Sequence, residues 1–303
     1  MASLDSLIEK AAASEQRPVV SVANAADSHV LGAVKLALER SLATFRLFGE
    51  EDEIRSIIAK VDVRLLDHAL IDIVNASDQQ QAAQLAVQSV SSGKADVLMK
   101  GNMPTATILK EVLNRDYGLR KETILSHVAA FEVPGYDRLL FVTDAAMNIA
   151  PDLMEKAQIV RNAVQAAHAC GIEKPIVAPL AAVETVNPAM QPTLDAAALV
   201  AMNHRGQISG CLVDGPLALD NAVSVEAAEH KGIAGETAGK ADILLVPTIE
   251  AGNILYKSLM YFAQAKVGAV IQGAKAPVVL TSRSDRMESK LYSLALAILV
   301  SKN

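Results

Sequence analysis

Short apolar, β-rich runs alternate with stretches of helical periodicity along the whole chain, starting with PVVSVA at residues 18–23. Apolar runs of four to eight residues bounded by Gly, Pro, Asn or Asp read as strands, whereas apolar positions returning every three or four residues read as one face of a helix. Strands are expected at residues 18–23, 44–48, 96–100, 139–143, 175–180, 210–213, 242–246 and 277–281. Amphipathic helices are expected at 28–40, 78–91, 104–114, 151–170 and 285–300. Pro104 and Pro151 suit a first helical turn, where a missing N–H costs little, and Gly171 and Gly232 suit positions just past a helix end. This alternation predicts an α/β protein with a mainly parallel sheet. No Gly/Ser-rich or Pro-rich tract interrupts it, so composition alone leaves the domain count open.

At 303 residues with 51% hydrophobic content, the chain can bury a substantial core in one large or two moderate domains. Its two cysteines, Cys170 and Cys211, form no metal-ligand spacing and too small a set for a disulfide framework, which fits a reducing compartment. The opening MASLDSLIEKAAAS lacks a basic region followed by an apolar block, so no secretory signal is expected and a cytoplasmic location is. The longest apolar run, LALAILV, falls well below the roughly 20 residues that span a bilayer. A net charge of −6, no Trp, and five each of Tyr and Phe argue against nucleic-acid binding, which needs a basic footprint or stacking platforms. Any phosphate ligand must then be held by a few local cations.

Several segments carry candidate chemistry. In ADVLMKGNMPT, residues 95–105, a strand ends at Lys100-Gly101 and a helix opens at Pro104, with Thr105 in its first turn. Free N–H groups, the positive end of the helix dipole, a backbone open to close approach and a lysine together make an anion site. The alternative is an ordinary strand-to-helix turn whose lysine points into solvent. In VDGPLALDNA, residues 213–222, a strand ends at Asp214, and Gly215-Pro216 turns the chain at the sheet edge where ligands of open α/β sheets sit. Asp220, Asn221 or Ser224 could cap the helix that follows, and for Asp214 and Asp220 the alternative is to face a cleft. Glu250, Asn253 and Lys257 recur at helical spacing, so they share a face that either meets a ligand or carries a surface contact. Ser126-His127 and Thr143-Asp144 lie on or beside strands and could bind phosphate or orient a nucleophile. No Gly-x-Ser-x-Gly elbow surrounds Ser126, which argues against a hydrolase triad.

PVVLTSRSDR, residues 277–286, places Ser282 and Arg283 between a strand and the C-terminal helix, again at an anion-friendly helix start. A Ser there can be a plain cap. A guanidinium matches phosphate or a polarised carbonyl with two hydrogen bonds, and Arg286 could assist Arg283. Other nucleotide motifs fail. GAVIQGAK, residues 268–275, has Ala274 where the P-loop pattern runs directly into lysine, and reads as a strand with its exit turn. No Gly-x-Gly-x-x-Gly follows a candidate strand, and the six histidines are dispersed.

Taken in order, ADVLMKGNMPT, LSHVAAFEVPGYDRLLFVTDAAMNIAP, PIVAPLAAVETVN, VDGPLALDNAVSVEAAEHKG, KADILLVPTIEAGNILYKSL and PVVLTSRSDR resemble the phosphotransacylases, phosphate acetyltransferase and phosphate butyryltransferase, and the butyryl branch most. In that family an acyl group moves between the sulfur of coenzyme A and inorganic phosphate. The resemblance implies two α/β/α domains with mainly parallel sheets, similar to isocitrate and isopropylmalate dehydrogenases, and an active site in the interdomain cleft. Residues 1–132 with 273–303 would form domain one, and 133–272 an inserted domain two. Acyl-CoA and phosphate would be substrates, with coenzyme A no cofactor in the strict sense, no metal, and a homodimer or higher homo-oligomer. By the same resemblance Ser282 and Arg283 sit at the reacting acyl phosphate. The acetyl branch has an acidic residue proposed to take the thiol proton where this chain has Ser289. Glu288 is adjacent and Asp285 nearer Ser282, so Glu288 is carried as the candidate and the base stays open. Rival expectations are a phosphate acetyltransferase, a metal- and NAD-dependent dehydrogenase of the same fold, and a non-catalytic acyl-CoA or phosphate sensor.

Overall fold

The computed structural model describes residues 3–13, 16–233, 235–281 and 285–302. The chain folds as two compact units. The terminal unit combines Leu4–Thr123 with Gly268–Asn303, and Ile124–Val267 makes up the body of the central unit.

The first pass through the terminal unit runs α1 (Leu4–Ala12), β1 (Val19–Ala23), α2 (Ser28–Glu39), β2 (Thr44–Gly49), α3 (Glu51–Asp62), β3 (Ile71–Asn75), α4 (Gln79–Ser91), β4 (Val97–Lys100) and α5 (Thr105–Val112). The central unit follows with β5 (Ser126–Glu132), β6 (Leu139–Thr143), α6 (Leu153–Ala169), β7 (Ile176–Pro179), α7 (Gln191–His204), β8 (Leu212–Val213), α8 (Leu219–Val223), α9 (Val225–His230), β9 (Ile243–Leu245) and α10 (Ile249–Tyr261). β10 (Lys266–Gln272) carries the chain back, and β11 (Val278–Val279) and α11 (Met287–Ser301) complete the terminal unit.

Local chemistry explains the helix ends. Asp27 accepts from the N–H groups of His29 and Val30, and Asp78 from that of Gln81, each satisfying donors that a helix start leaves over. Asp152 and Glu155 close a reciprocal capping box on α6. Gly171 and Gly232 follow the helix ends at Cys170 and Lys231 with φ of 96° and 68°, the left-handed conformation that glycine adopts without a Cβ clash. Pro104 occupies the cap position before α5, and Pro151 precedes the cap Asp152, so both stand just outside the first turn expected for them.

In the terminal unit the strands lie in the order β3-β2-β1-β4-β11-β10, parallel through β11, with β10 antiparallel at Ile271 opposite Val278. In the central unit the order is β5-β6-β9-β7-β8, with only β5 and β6 antiparallel. The expected α/β architecture with mostly parallel strands is present in each unit. Strands such as VLMK and LLFVT are buried along their whole length, as parallel strands covered by helices require. α11 is apolar nearly all round and packs against α1, α2, β4 and β11. β10 approaches it closely: a Cβ on Gly268 would stand 2.8 Å from the Tyr292 carbonyl. In the central unit α6 meets α7 through a buried ion pair, Lys156 Nζ to Asp195 Oδ2 at 2.5 Å, with Gln191 donating to the other carboxylate oxygen at 2.8 Å. Among the described residues no helix is long and apolar enough to cross a membrane.

Candidate active site

In the terminal unit the strand order reverses between β1 and β4, and Ala23 lies opposite Lys100 at the carboxyl ends of these two strands. Such a switch point is where open α/β sheets bind ligands. The two turns that follow are stitched together. Gly101 N–H donates to Ala23 O at 2.8 Å and Asn102 N–H to Asn24 O at 2.9 Å. Asn24 returns a bond from its amide to Asn102 O at 2.5 Å, from a left-handed backbone (φ 54°) that asparagine tolerates. A Cβ on Gly101 would lie 2.2 Å from Asn24 O and 2.6 Å from Ala23 O, so glycine is the residue that lets the turns touch.

Lys100 is 5% exposed, with its ammonium donating to Gly101 O and Met103 O at 3.2 Å each. Its charge is therefore held inside the β4–α5 turn instead of in bulk solvent. Thr105, the first residue of α5, is exposed. β11 runs beside β4, with Val279 opposite Met99, and so delivers the start of α11 to the same edge of the sheet. Ser282 and Arg283 lie outside the described residues. Arg286 caps α11 through its backbone position and Glu288 sits in the first turn, both exposed.

A group the sequence reading passed over stands on the same turn. Lys290 is 2% exposed, and burial lowers its pKa while Asp285 and Asp27 raise it. Asp27 belongs to the start of α2 and Asp285 to the approach to α11, so this ammonium faces carboxylates from two segments. Its signal in the sequence was a lysine at the head of an otherwise apolar KLYSLALAILV run.

The central unit uses its polar candidates mainly as framework. Ser126 Oγ accepts from the Asn162 amide at 2.8 Å, and Thr143 donates to His127 O at 2.9 Å across the β5–β6 pair, Ser126 and Thr143 being fully buried. The His127 ring lies 5.8 Å from that of Tyr256 on α10. Asp144 is 2% exposed, and its carboxylate gathers the N–H groups of Ala146, Met147 and Asn148 at 2.9, 3.0 and 3.2 Å, plus the Asn148 amide at 2.6 Å. Those bonds shape the loop after β6.

Asp214, at the end of β8, accepts from the Thr237 hydroxyl. Asp220 is an exposed residue in the first turn of α8, paired with Lys231 at 3.3 Å, and Lys231 also reaches Glu184 at 3.4 Å. A bond from the Asn221 backbone, then Lys231, lowers the Asp220 pKa. Of the three capping candidates in this stretch, Ser224 caps α9 by accepting from Ala227 N–H. Glu250, Asn253 and Lys257 are all exposed. Ala251 and Leu255 of the same helix instead line a cavity of about 350 Å³ at the carboxyl ends of β7 and β9. Lys100, Gly101 and Thr105 thus gather beside the α11 start in one unit. In the other, Ser126, His127, Thr143 and Asp144 gather on the β5–β6 pair, and α10, which carries the exposed Asn253 and Lys257, packs on them: a Cβ on Gly252 would stand 2.9 Å from Asp144 O. Among the described residues no group of three or more His, Cys, Asp or Glu side chains is placed to hold a metal ion.

Comparison with known proteins gives a consistent result. A family model described as phosphate acetyl/butaryl transferase matches residues 76–298. The chain is 56% identical over 299 residues to a probable phosphate butyryltransferase of Bacillus subtilis (strain 168), covering 99% of this chain and 98% of the relative. It is 52% identical over 301 residues to the phosphate butyryltransferase of Clostridium acetobutylicum, covering 99% of each. A crystal structure of a branched-chain phosphotransacylase from Enterococcus faecalis V583 matches with a TM-score of 0.82 and 41% identity, over 94% of this chain and 99% of that one. The chain belongs to the phosphate acetyl/butaryl transferase family.

Proposed function

We propose that this protein catalyses reversible acyl transfer between coenzyme A and inorganic phosphate: butyryl-CoA, or a related short or branched acyl-CoA, plus phosphate gives acyl phosphate plus CoA. The observation that carries this is identity of 52–56% to phosphate butyryltransferases over nearly the full length of both chains. Coenzyme A enters as a substrate. The enzyme acts in the cytoplasm as a homodimer or larger homo-oligomer.

Transfer is direct, within a ternary complex. In the thioester-forming direction the CoA thiol, with a pKa of about 8.5 by analogy with cysteine, loses its proton and the thiolate attacks the acyl carbonyl. The bond from carbonyl carbon to phosphate oxygen then breaks and phosphate leaves. Arg283, with Ser282, binds the reacting acyl phosphate and stabilises the charge that develops on the carbonyl oxygen. Lys100 and the backbone around Gly101 and Thr105 hold phosphate, a role favoured by the buried ammonium and the helix start beside it. Glu288 is our candidate for the thiol proton, its exposure leaving it free to exchange that proton with water. Arg286, Asp214, Asp220, Asn253 and Lys257 contact the remainder of the CoA or phosphate. Ser126, His127, Thr143 and Asp144 support those contacts.

The test is thiol release from butyryl-, isobutyryl- and acetyl-CoA with and without phosphate, in the presence of a chelator. Release that needs phosphate, survives chelation and favours butyryl- over acetyl-CoA is expected. Release without phosphate, or a strict need for a divalent ion, would remove this assignment.

A further inference from the structure

Lys290 is a charge on a helix that packing alone would fill with apolar residues. The positions that follow it on α11, Leu291, Leu294 and Ala295 among them, are buried and apolar. A lysine that only packs its stem keeps its ammonium in water, but at 2% exposure this one does not. Burying an ammonium is costly unless carboxylates or carbonyls compensate it, so the residue calls for a role beyond filling space.

Its surroundings place it between two parts of the proposed site, all within the terminal unit. Met287 lies one turn before Lys290 on the same face of α11, and a Cβ on Gly32 of α2 would stand 2.6 Å from Met287 Sδ, so that face rests on the first half of α2. Asp27 caps α2, its Oδ1 accepting from His29 and Val30 N–H at 2.9 Å each, and its charge acts on the Lys290 ammonium together with that of Asp285. Asp27 also ends the loop after β1. Its N–H donates to Ala25 O at 2.7 Å, Ala25 N–H donates to Phe48 O at 2.9 Å, and Asn24 of the same loop is stitched to Asn102 in the Lys100 turn. Glu288 stands in the first turn of α11, just before Lys290. The buried ammonium thus sits where the helix that carries Glu288 meets the loop against which the phosphate-holding turn is built.

We propose that Lys290 is a positioning residue for acyl transfer: through Asp27 it fixes the β1–α2 loop against the start of α11, and so the Lys100 turn relative to Glu288. The inference rests on the acyl-transfer function proposed above and deepens it. Asp27 and Asp285 are both partly exposed, and Asp27 keeps its two backbone donors without the lysine, so removing the ammonium strands no buried charge. Stability and activity therefore separate in a Lys290 variant, whereas a residue kept for stability alone would lose both together.

The experiment measures Tm, and kcat and KM for phosphate with butyryl-CoA, in Lys290→Met, Asp27→Asn and the double variant. Methionine fills the space of the stem without the charge, so Lys290→Met should melt no more than about 4 °C below wild type. Its kcat should fall about ten- to a hundredfold, with a raised KM for phosphate, because small displacements of positioned groups carry losses of that order. Asparagine still caps α2, so Asp27→Asn keeps the helix start and should lose turnover in the same direction. Since the two residues act as a unit, the double variant should fall no more than about twofold below Lys290→Met. Turnover within about twofold of wild type in Lys290→Met, losses that multiply in the double variant, or a loss of turnover that a matching fall in Tm accounts for would each overturn the proposal. Should Lys290→Met fail to fold, Asp27→Asn decides alone: a loss of about tenfold upholds the proposal and near-normal turnover removes it. Wild-type protein that releases no thiol from any acyl-CoA in phosphate would instead remove the function on which it rests.

Discussion

Substituting Gly101 by alanine tests whether the contact between the β1 and β4 turns holds the proposed phosphate site together. The new Cβ would meet Asn24 O at 2.2 Å, Ala23 O at 2.6 Å and Asn24 C at 2.8 Å. All three are backbone atoms, so no side chain can rotate away and one turn must move. Overpacking of this kind costs about 1–3 kcal/mol. Separating the turns also weakens the bonds from Gly101 N–H to Ala23 O and from Asn102 N–H to Asn24 O, at about 1 kcal/mol each. Together these put the loss at roughly 3–5 kcal/mol, a fall in Tm of about 6–20 °C for a chain of this size. Moving the turn also shifts the carbonyls that hold the Lys100 ammonium, so KM for phosphate should rise even where the protein stays folded. Scanning calorimetry and phosphate-dependent thiol release, measured below the lowered Tm, check both effects. A Tm within about 1 °C of wild type together with unchanged KM for phosphate would refute the close-contact argument.

Further outcomes follow from other groups. Asp195→Asn leaves Lys156 buried with a neutral neighbour, which should destabilise by about 3–5 kcal/mol in denaturant titration; a loss under about 1 kcal/mol would show the pair to be dispensable. Burial raises the Cys211 thiol to about 11, so this side chain should resist alkylation in native protein at pH 8 and react on unfolding. Because its folded pKa lies above the ordinary 9.0, the neutral thiol costs the fold nothing at lower pH, and stability should decline as pH rises from about 9 towards 11. Rapid native alkylation of Cys211 at pH 8 would contradict this. Arg283→Lys keeps the charge and loses the planar fork, so turnover should fall on the order of a hundredfold with the circular-dichroism spectrum unchanged; near-normal turnover would remove Arg283 from the acyl phosphate.

How much was legible in the sequence depended on whether local pattern and tertiary setting agreed. β4 and β6 were readable because strands buried along their whole length must be continuous apolar runs. β3, IDIVN, was missed because it is an edge strand, where Asp72 is free to pair with Arg46 and break the apolar run. β5 hid behind Ser126 and His127, polar residues that are buried all the same, Ser126 against Asn162 of α6. The Lys100-Gly101 turn announced itself by composition, but the reason for its glycine is a carbonyl of Asn24, distant in sequence and adjacent only after β1 and β4 pair. Asp144 read as a ligand candidate because no local pattern reveals that four donors of its own loop converge on one carboxylate. Lys290 was overlooked for the converse reason: a lysine at a helix start reads as solvated until the neighbouring helix brings Asp27 to it.

The central claim is tested most directly by following phosphorus-31 resonances while the protein converts butyryl-CoA in the presence of inorganic phosphate. Direct acyl transfer predicts an acyl phosphate resonance that grows mole for mole with free thiol and collapses when excess CoA is added. Free thiol accompanied by butyrate, with no acyl phosphate at any time, would contradict it and make the protein a thioester hydrolase.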